Sequence, residues 1–391
     1  MSRLQCTPYP DYMAIESLFS EEQKLVIQST RSFVKKELDP MVRDCFQKEE
    51  FPTHLIEKFG EVGVLGANIK GYGLPGLDAI AYGLIMKELE RCDSGFRSFA
   101  SVQGSLVMYP IYAYGSEEQK DYWLPQLGSG TAVGCFGLTE SEGGSDPGAM
   151  KTHAELQGDQ WVINGSKMWI TNGNLAQIAV VWAQTNDGIR GFLIPTATKG
   201  FTAKKMVNKL SLRASITSEL YFDKVQLPKS ALLPQSNGLK SALSCLTQAR
   251  YGIAWGALGA AEACFDEACR YVKNRVVFNK PLAAFQLVQK KLATACTKLT
   301  TGQLLALRLG QLKDENKLHF AQVSMAKQHN VELALDIARV CRDILGANGI
   351  MLEYETMRHM SNLETVYTYE GTNDIHSLIV GQQITGLPAF S

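Results

Sequence analysis

The last third of the chain contains three long segments of helical pattern, and they constrain the fold more than any other feature. The segments span residues 249–275, 284–315 and 321–346, and the third closes at Gly346 and Gly349. Glycine at such positions is typical of a helix C-terminus. Each segment is longer than an average soluble helix, so we expect the three to pack side by side as a bundle.

The sequence pattern differs ahead of this bundle. Ser20 and Gln23 form a capping-box signature at the start of a first helical zone. From about residue 131, short β-branched and aromatic runs such as Ala179–Trp182 alternate with turn residues. Among these is the Asn164–Gly165 pair, which is typical of tight hairpins. The sequence therefore predicts helices, then a small β domain, then the bundle.

We predict an α + β protein, mainly α, with three domains. The N-terminal helical domain covers residues 1–130, the middle β domain residues 131–236, and the C-terminal helical bundle residues 237–391. Cofactor sites commonly lie in crevices at domain junctions. We therefore expect one functional cleft where these zones meet.

Composition argues against several classes of function. Lys plus Arg and Asp plus Glu both number 39, so the formal net charge is zero and no basic field favours nucleic acid. No apolar run approaches the roughly 20 residues that span a bilayer. The nine cysteines are scattered without CxxC or paired-His spacing, which favours buried free thiols and no metal site. The N-terminus lacks a signal core, so we expect a cytoplasmic protein, or a mitochondrial matrix protein if a transit peptide has been removed.

Several short motifs carry candidate chemistry. The stretch CFGLTESEGGSD (135–146) follows a predicted strand and offers hydroxyls and glycine backbone that can approach a planar ring closely. By itself this stretch is more simply a polar surface turn. The later motifs are KMWITN (167–172), RVVF (275–278), DILGANG (343–349) and VYTYEGTNDIH (366–376). In the last motif Glu370 is either a base or merely a charged residue in a surface turn.

In this order and spacing, the motifs resemble the acyl-CoA dehydrogenase family of flavoproteins over essentially the whole chain. The resemblance implies a small middle β-barrel between helical domains, FAD as cofactor, and a homotetramer. It also implies that Glu370 is the base that removes an α-proton from an acyl thioester, while a hydride leaves the β-carbon for flavin N5. A carboxylate with an ordinary pKa near ~4.3 is a weak base, so the site must desolvate it.

The resemblance further implies a set of FAD-binding residues. The 136–145 segment and residues 169–171 would cradle the isoalloxazine ring, and Arg275 with Phe278 and Gln286 would hold the adenine and pyrophosphate end of an FAD from a neighbouring subunit. Taken singly, Arg275 reads as a solvated charge, and Thr372 reads equally well as a helix N-cap. The full set is Phe136, Leu138, Thr139, Gly144, Ser145, Trp169, Ile170, Thr171, Arg275, Phe278, Gln286, Asp343, Leu345, Gly346, Ala347, Thr372 and Asp374.

Arg97 indicates the kind of acyl chain. An arginine at the end of an apolar pocket is costly unless it meets an anion, so it implies a substrate with a distal carboxylate. The surrounding segment resembles the glutaryl-CoA dehydrogenases of this family, in which such an arginine and an adjacent serine, here Ser98, bind the γ-carboxylate. Without that resemblance, an ion pair of Arg97 with Glu90 or Asp93 is an equal explanation. The implied substrate-binding set is completed by Ser145, by Arg250 near the CoA end and by Gly371.

The same resemblance links decarboxylation to Tyr369 beside the base and to Glu90 near the arginine. We therefore expect glutaryl-CoA to become crotonyl-CoA and CO2, with electron-transfer flavoprotein as acceptor, in lysine and tryptophan degradation. The alternatives are a non-decarboxylating glutaryl-CoA dehydrogenase, a short-chain acyl-CoA dehydrogenase or oxidase acting on an uncharged chain, and a catalytically silent flavoprotein scaffold. Asn279 and Ala347 replace glycines that relatives usually carry, which bears on the implied adenine site.

Overall fold

The first helix begins where the sequence predicts it. The structure, a computed structural model, describes residues 11–390. The Ser20 side chain accepts a hydrogen bond from the Gln23 N–H, and the Gln23 side chain accepts one from the Ser20 N–H, which completes the predicted capping box. The N-terminal helices are α1 (Glu21–Phe33), α2 (Val42–Lys48), α3 (Ile56–Glu61), α4 (Ala79–Cys92), α5 (Ser94–Ser101), α6 (Tyr109–Tyr114) and α7 (Glu117–Ser129).

Helices α5 and α6 are joined by a π-helical stretch, Val102–Met108. Pro110, at the start of α6, has no N–H to donate, and the wider helix ahead of it accommodates that loss. A second π-helical stretch, Val34–Leu38, extends α1. Short 3-10 helices span Ile15–Leu18, Thr53–Leu55, Pro147–Ala149, Lys229–Ala231, Leu282–Ala284 and Gly346–Ile350.

The middle of the chain forms one seven-stranded sheet. Its strands are β1 (Gly134–Gly137), β2 (His153–Gln157), β3 (Gln160–Thr171), β4 (Ile178–Thr185), β5 (Gly188–Pro195), β6 (Phe201–Lys205) and β7 (Thr217–Pro228). The order is β1-β4-β2-β3-β7-β6, with β5 on β4; β1 is parallel to β4, whereas the β2–β3, β3–β7, β6–β7 and β4–β5 pairs are antiparallel. No strand pair among the described residues joins β6 to β5.

The expectation of a hairpin at Asn164–Gly165 is wrong. The pair lies inside β3, which is held by β2 on one side and β7 on the other. The register with β7 shifts there, and Gly165 has a φ of 140°, so the glycine serves a bulge rather than a turn. The tight hairpins are instead those between Gln157 and Gln160 and between Thr185 and Gly188.

The C-terminal helices match the three long segments of the sequence. They are α8 (Leu239–Asn274), α9 (Gln286–Asp314), α10 (Phe320–Ile344), α11 (Thr356–Thr368) and α12 (Asn373–Thr385), with a hairpin of β8 (Val276–Val277) and β9 (Lys280–Pro281) between α8 and α9. Helix α8 begins at Leu239, close to the predicted start of the C-terminal bundle at residue 237, and it continues through the long segment 249–275 to Asn274. The predicted boundaries at 130/131 and 236/237 fall in the connections before β1 and before α8, and they stay predictions.

Helices α4 and α8 approach each other closely enough to need glycine. A Cβ added at Gly259 would overlap the Lys87 carbonyl, and one added at Gly256 would overlap Glu90 Oε2. Apolar residues of α4, α8 and α10 share one core, and a second core joins α6 and α7 to β1 and β4. The close α4–α8 contact therefore carries Glu90 into the interior of the molecule.

Two bulk expectations can be compared with the structure. Cys45, Cys92, Cys135, Cys245, Cys264 and Cys341 are buried free thiols, as predicted. Within the described range, no helix is both long and apolar enough to cross a bilayer.

Candidate active site

Glu370 lies in the short loop between α11 and α12, and its backbone is strained. Its φ is 54°, and that of Gly371 is 93°. Positive φ is uncommon for a residue with a side chain, and such strain persists only where the surroundings impose it. A Cβ at Gly371 would lie 3.0 Å from His376 Nε2 and 3.2 Å from Arg250 Nη2, so a larger residue would crowd both side chains.

Two buried cations hold this loop by its backbone. Arg250 on α8 donates from Nε to the Glu370 carbonyl at 2.6 Å. Lys327 on α10 donates from Nζ to the Tyr369 carbonyl at 3.1 Å and to the Gly371 carbonyl at 2.8 Å. Three consecutive carbonyl groups are thus fixed from two different helices. Arg250, which was expected near the CoA end of the substrate, lies at the loop of the proposed base.

The Glu370 carboxyl group lies in a desolvated environment. The residue is only partly covered, but its Oε2 is buried and has no hydrogen-bond partner among the described residues. Burial raises the pKa of this carboxyl above its usual value, and Arg97, Arg250 and Lys327 oppose that shift. A desolvated carboxylate with a raised pKa is a stronger base than one on the surface.

Arg97, on α5, is completely buried beside this loop. Its Nε donates to Glu90 Oε2 at 2.6 Å, and its Nη2 donates to the Tyr369 hydroxyl, but Nη1 has no partner within the described chain. Burial alone would lower the pKa of the guanidinium, and Glu90 and Tyr369 raise it above the usual value. Of the two ion pairs expected for Arg97 as alternatives, the one with Glu90 is present, whereas Asp93 pairs with Arg358 at 2.5 Å.

The substrate-side residues thus meet from four separate elements. Glu90 comes from α4, Arg97 from α5, Arg250 from α8, and Tyr369 with Glu370 and Gly371 from the loop after α11. Ser98, which follows Arg97 on α5, is buried. The pKa of the Tyr369 hydroxyl is raised by burial, although Arg97 opposes the shift, so the tyrosine stays protonated. Ser145 lies apart from these residues in sequence, in the exposed loop after β1.

The loop after β1 is fastened to β3 beside an exposed indole. Lys167 Nζ donates to the Leu138 carbonyl at 3.0 Å and to Glu140 Oε1 at 2.8 Å, and the Met168 N–H donates to the Thr139 carbonyl at 2.9 Å. Burial lowers the pKa of Lys167 to about 8. Trp169 lies in a register shift of β3 with a φ of 63°, and 57% of its surface is exposed.

The remaining residues predicted around the ring differ in exposure. Phe136, Leu138 and Ile170 are buried, Thr139 and Thr171 are half-buried, and Gly144 and Ser145 are exposed. Thr372 accepts from the Ile375 N–H at 3.2 Å, so it is the N-cap of α12, and Asp374 lies exposed in the first turn of that helix. This hydrogen bond neither supports nor contradicts the predicted contact of Thr372 with the flavin, which stays a prediction.

Only some of the residues predicted to hold the adenine end of FAD line a common cavity. A cavity of about 340 Å³ between the ends of α8 and α10 is lined by Arg275, Leu345, Gly346 and Ala347, together with neighbours such as Tyr271 and Asn348. Phe278, Gln286 and Asp343 do not line it; Phe278 is 88% exposed, and Asp343 forms an ion pair with Lys291. A larger cavity, of about 540 Å³, lies between α3 and the start of the sheet and contains none of the predicted residues.

Sequence reasoning missed several residues of this centre. Lys327 and His376 are fully buried beside the Glu370 loop, and Ser94 donates from its hydroxyl to Glu90 Oε1 at 2.8 Å. Burial, with Lys327 and Arg250 nearby, lowers the pKa of His376 to about 2, so this ring is neutral. Lys327 had a detectable signal, because it shares a helical face with the fully buried Val323 and Val331. Across residues 11–390, no group of three or more His, Cys, Asp or Glu side chains could hold a metal ion.

Three domain models of one family match almost the entire chain. The acyl-CoA dehydrogenase N-terminal domain matches residues 20–131, the middle domain residues 135–225, and the C-terminal domain residues 236–385. The chain is a member of the acyl-CoA dehydrogenase family. The resemblance and the three-part fold predicted from the motifs are thereby confirmed.

The relatives of this acyl-CoA dehydrogenase include enzymes named for different substrates. The mitochondrial short-chain specific acyl-CoA dehydrogenase of Homo sapiens is 37% identical over 94% of this chain and 91% of its own. The structure of a glutaryl-CoA dehydrogenase of Mycobacterium smegmatis in complex with FADH2 is 51% identical, with a TM-score of 0.97, over 98% of this chain and 100% of that one. The butyryl-CoA dehydrogenase of Megasphaera elsdenii is 33% identical, with a TM-score of 0.90, over 94% and 98%.

Proposed function

We propose that this acyl-CoA dehydrogenase oxidises and decarboxylates glutaryl-CoA to crotonyl-CoA and CO2, with FAD as cofactor. The observation that carries the substrate assignment is Arg97, which is completely buried next to the proposed base and whose Nη1 has no partner among the residues that the structure describes. A buried donor without a partner is costly, and a carboxylate at the far end of the acyl chain would satisfy it with a charge-assisted hydrogen bond. The 51% identity to a glutaryl-CoA dehydrogenase supports the same substrate.

Glu370 removes the α-proton of the thioester in this proposal. Its buried Oε2 has no hydrogen bond to any other described residue, so it is available to the substrate. The nearby Arg97, Arg250 and Lys327 keep a fraction of the carboxyl ionised despite its burial. Arg250 and Lys327 hold the backbone on which Glu370 is carried, which reduces the entropy lost in reaching the transition state.

The flavin side of the site fits a planar cofactor. The exposed indole of Trp169 offers a flat apolar face beside the fastened loop, and Gly144 adds no side chain. FAD, when bound, accepts the hydride that leaves the β-carbon. The residues that would hold the ring are Phe136, Leu138, Thr139, Ser145, Trp169, Ile170, Thr171, Thr372 and Asp374, and Arg275 with the cavity beside it would hold the other end.

Tyr369 and Glu90 take part in the decarboxylation step of this proposal. Loss of CO2 requires the distal carboxylate to give up its charge, so a tight ion pair with arginine would oppose the step. Arg97 already donates from Nε to Glu90 and from Nη2 to the Tyr369 hydroxyl. The substrate carboxylate would therefore share the guanidinium with these two groups and would not form a tight ion pair with it. The electron pair of the broken bond stays on carbon as a dienolate, and Glu370, now protonated, returns its proton to form crotonyl-CoA.

The proposal also includes an electron acceptor and further copies of the chain as protein partners. Electron-transfer flavoprotein reoxidises the reduced flavin, and four copies of the chain form a homotetramer. The exposed Phe278 and Leu287, at 88% and 75%, lie close in sequence to Arg275 and support a neighbouring subunit on this surface, because large exposed apolar side chains favour association. In that assembly the Arg275 region would complete the FAD site of the neighbour.

The product of an anaerobic reaction tests the proposal. Glutaryl-CoA is added to the yellow FAD-loaded protein without oxygen, the flavin absorbance is followed, and the acyl-CoA product is identified by mass. We expect bleaching with release of crotonyl-CoA and CO2. Bleaching with only the unsaturated dicarboxylic thioester would contradict the roles of Tyr369 and Glu90, and absence of bleaching by glutaryl-CoA would contradict the substrate assignment.

A second candidate function has an observation in its favour. The Glu90 carboxylate already neutralises Arg97 at 2.6 Å, so the pair can close a pocket for an uncharged short chain. The 37% identity to a short-chain specific enzyme agrees with this candidate. It predicts that butyryl-CoA bleaches the flavin at least as fast as glutaryl-CoA in the same anaerobic assay.

A further inference from the structure

Lys327 is a buried cation that has no hydrogen-bonded carboxylate among residues 11–390. Its side chain has no exposed surface, and its recorded hydrogen bonds go to two backbone carbonyls, those of Tyr369 and Gly371. A lysine without a hydrogen-bonded acidic partner in a protein interior is costly. Burial lowers the pKa of its ammonium group to about 7, whereas Glu370 opposes that shift. Such a cost indicates a role that an apolar side chain could not fill.

The two carbonyls flank the proposed base, which suggests what that role is. A loop with positive φ at both Glu370 and Gly371 would relax unless its peptide groups were held. Lys327 holds the carbonyls before and after Glu370, and Arg250 holds the carbonyl of Glu370 itself at 2.6 Å. Because the two cations come from α10 and α8, the loop orientation is set by the helical bundle rather than by its own sequence.

Lys327 affects the proposed base through its positive charge as well as through its hydrogen bonds. Glu370 is the acidic group that offsets the positive charge of Lys327, and Lys327 in turn lowers the pKa of Glu370. The other groups around this pair are Arg250 on α8, Arg97 on α5, Tyr369 in the loop and the neutral His376 on α12. Removing the ammonium group would therefore leave the Glu370 carboxylate with less positive charge nearby and raise its pKa further.

We propose that Lys327 is a positioning residue for the reaction, which fixes the backbone of Glu370 and supplies positive charge that keeps its carboxyl ionised. The inference rests on the proposed role of Glu370 as the base. It adds a residue that acts through Glu370 and does not itself touch the acyl chain.

Lys327→Met tests this proposal, because it removes the charge and both hydrogen bonds while keeping an unbranched side chain. We expect the rate of flavin reduction at neutral pH to fall at least about tenfold. The acidic limb of the pH–rate profile should move to higher pH by about one unit or more. Lys327→Arg should restore the position of the limb because it keeps the charge, and Lys327→Gln, which keeps one donor, should not.

Lys209→Met is the matched control. Lys209 Nζ also binds two backbone carbonyls, those of Leu212 and Ser215 at 2.9 and 2.6 Å, but in a loop of the middle domain. We expect this variant to lower thermal stability without moving the acidic limb. If Lys327→Met also leaves the limb in place, Lys327 is only a structural lysine and the proposal is overturned. If Lys327→Met does not fold, the Lys327→Arg and Lys327→Gln variants answer the same question. Acidic limbs at different pH values would support the proposal, and acidic limbs at the same pH would overturn it.

A measurement without substrate separates this inference from the proposed function. Difference infrared spectroscopy can follow the protonated carboxyl band of Glu370, which is assigned by its loss in Glu370→Gln, through a pH titration. The titration should move to higher pH in Lys327→Met and Lys327→Gln relative to wild type and Lys327→Arg. An unmoved titration overturns the inference even if the wild type is active, and a wild type that no acyl-CoA reduces overturns the proposed function even if the titration moves.

Discussion

The site around Glu370 and the surface around Trp169 are built in opposite ways. At the first, Arg97 and Lys327 are completely buried, and hydrogen bonds from two helices fix three successive carbonyl groups. At the second, a fastened loop presents an indole that is 57% exposed, and Phe278 in the C-terminal domain is 88% exposed. The comparison shows that the proposed acid–base residues are enclosed by the chain itself. By contrast, two of the proposed cofactor contacts, Trp169 and Phe278, lie on surfaces that a ligand or a neighbouring subunit would cover.

The largest effect should come from the base. Glu370→Gln keeps the shape of the side chain but removes the group that accepts the proton, so we expect flavin reduction to fall by about 10²–10⁴-fold. FAD content should be unchanged, because glutamine has nearly the same size and shape as glutamate. Stopped-flow absorbance under anaerobic conditions gives the rate. A rate within tenfold of wild type would remove Glu370 from the role of base.

Packing behind the arginine should give the next largest effect. A Cβ at Gly256 would overlap Glu90 Oε2 and lie 3.2 Å from Arg97 Nε. We therefore expect Gly256→Ala to lower the free energy of unfolding by about 1–3 kcal/mol and to slow flavin reduction. Gly381→Ala on α12 is the control, because an added Cβ there meets nothing within 4 Å. Equal denaturation midpoints for the two variants would show that the Glu90–Arg97 pair is not closely packed.

The pH dependence of the wild type should reflect the buried site. Only ionised Glu370 can accept a proton, and burial raises its pKa above the usual 4.5. The value of kcat/KM should therefore rise with pH through that raised pKa, by about tenfold for each pH unit below it. A profile that stays flat down to pH 4.5 would contradict the desolvated carboxylate.

The smallest effect should come from the exposed indole. Trp169→Ala removes a flat apolar face, so we expect FAD affinity to fall by about three- to tenfold, which corresponds to about 0.7–1.4 kcal/mol. Tyr122→Ala, at another exposed aromatic on α7, is the control and should leave FAD affinity unchanged. Fluorescence titration of the apoprotein with FAD measures both. An unchanged affinity for Trp169→Ala would mean that the ring does not pack on this indole.

Local sequence was sufficient for features that depend on neighbours along the chain. The Ser20–Gln23 capping box and the long helices α8, α9 and α10 follow from side-chain pattern and helix-end chemistry. The Asn164–Gly165 pair misled because strands on both sides override the turn preference of the dipeptide. Tertiary context, not local propensity, decides between a bulge and a hairpin there.

The site depended on contacts that local pattern does not contain. Glu370 was found through its motif, but its partner Lys327 was not, because a lysine in a helix is usually solvated. The close α4–α8 contact that brings Glu90 to Arg97 requires glycine at residue 256. In the sequence, Gly256 is one small residue in a segment rich in alanine and glycine, so its pattern does not reveal this requirement. A single buried charge on an apolar helical face is the signal that would have identified Lys327.

The most direct test of the account is the preference between two acyl chains with and without the buried ion pair. Arg97→Met alone would leave the Glu90 carboxylate buried with only Ser94 as a hydrogen-bonded partner, so the double variant Glu90→Gln, Arg97→Met keeps the interior neutral. We expect kcat/KM for glutaryl-CoA to fall by about ten- to over a hundredfold in this double variant. Flavin reduction by butyryl-CoA should change little when both variants are compared at a pH above the raised pKa of Glu370, because Arg97 also lowers that pKa. An equal loss with both substrates would contradict a carboxylate-binding role for Arg97.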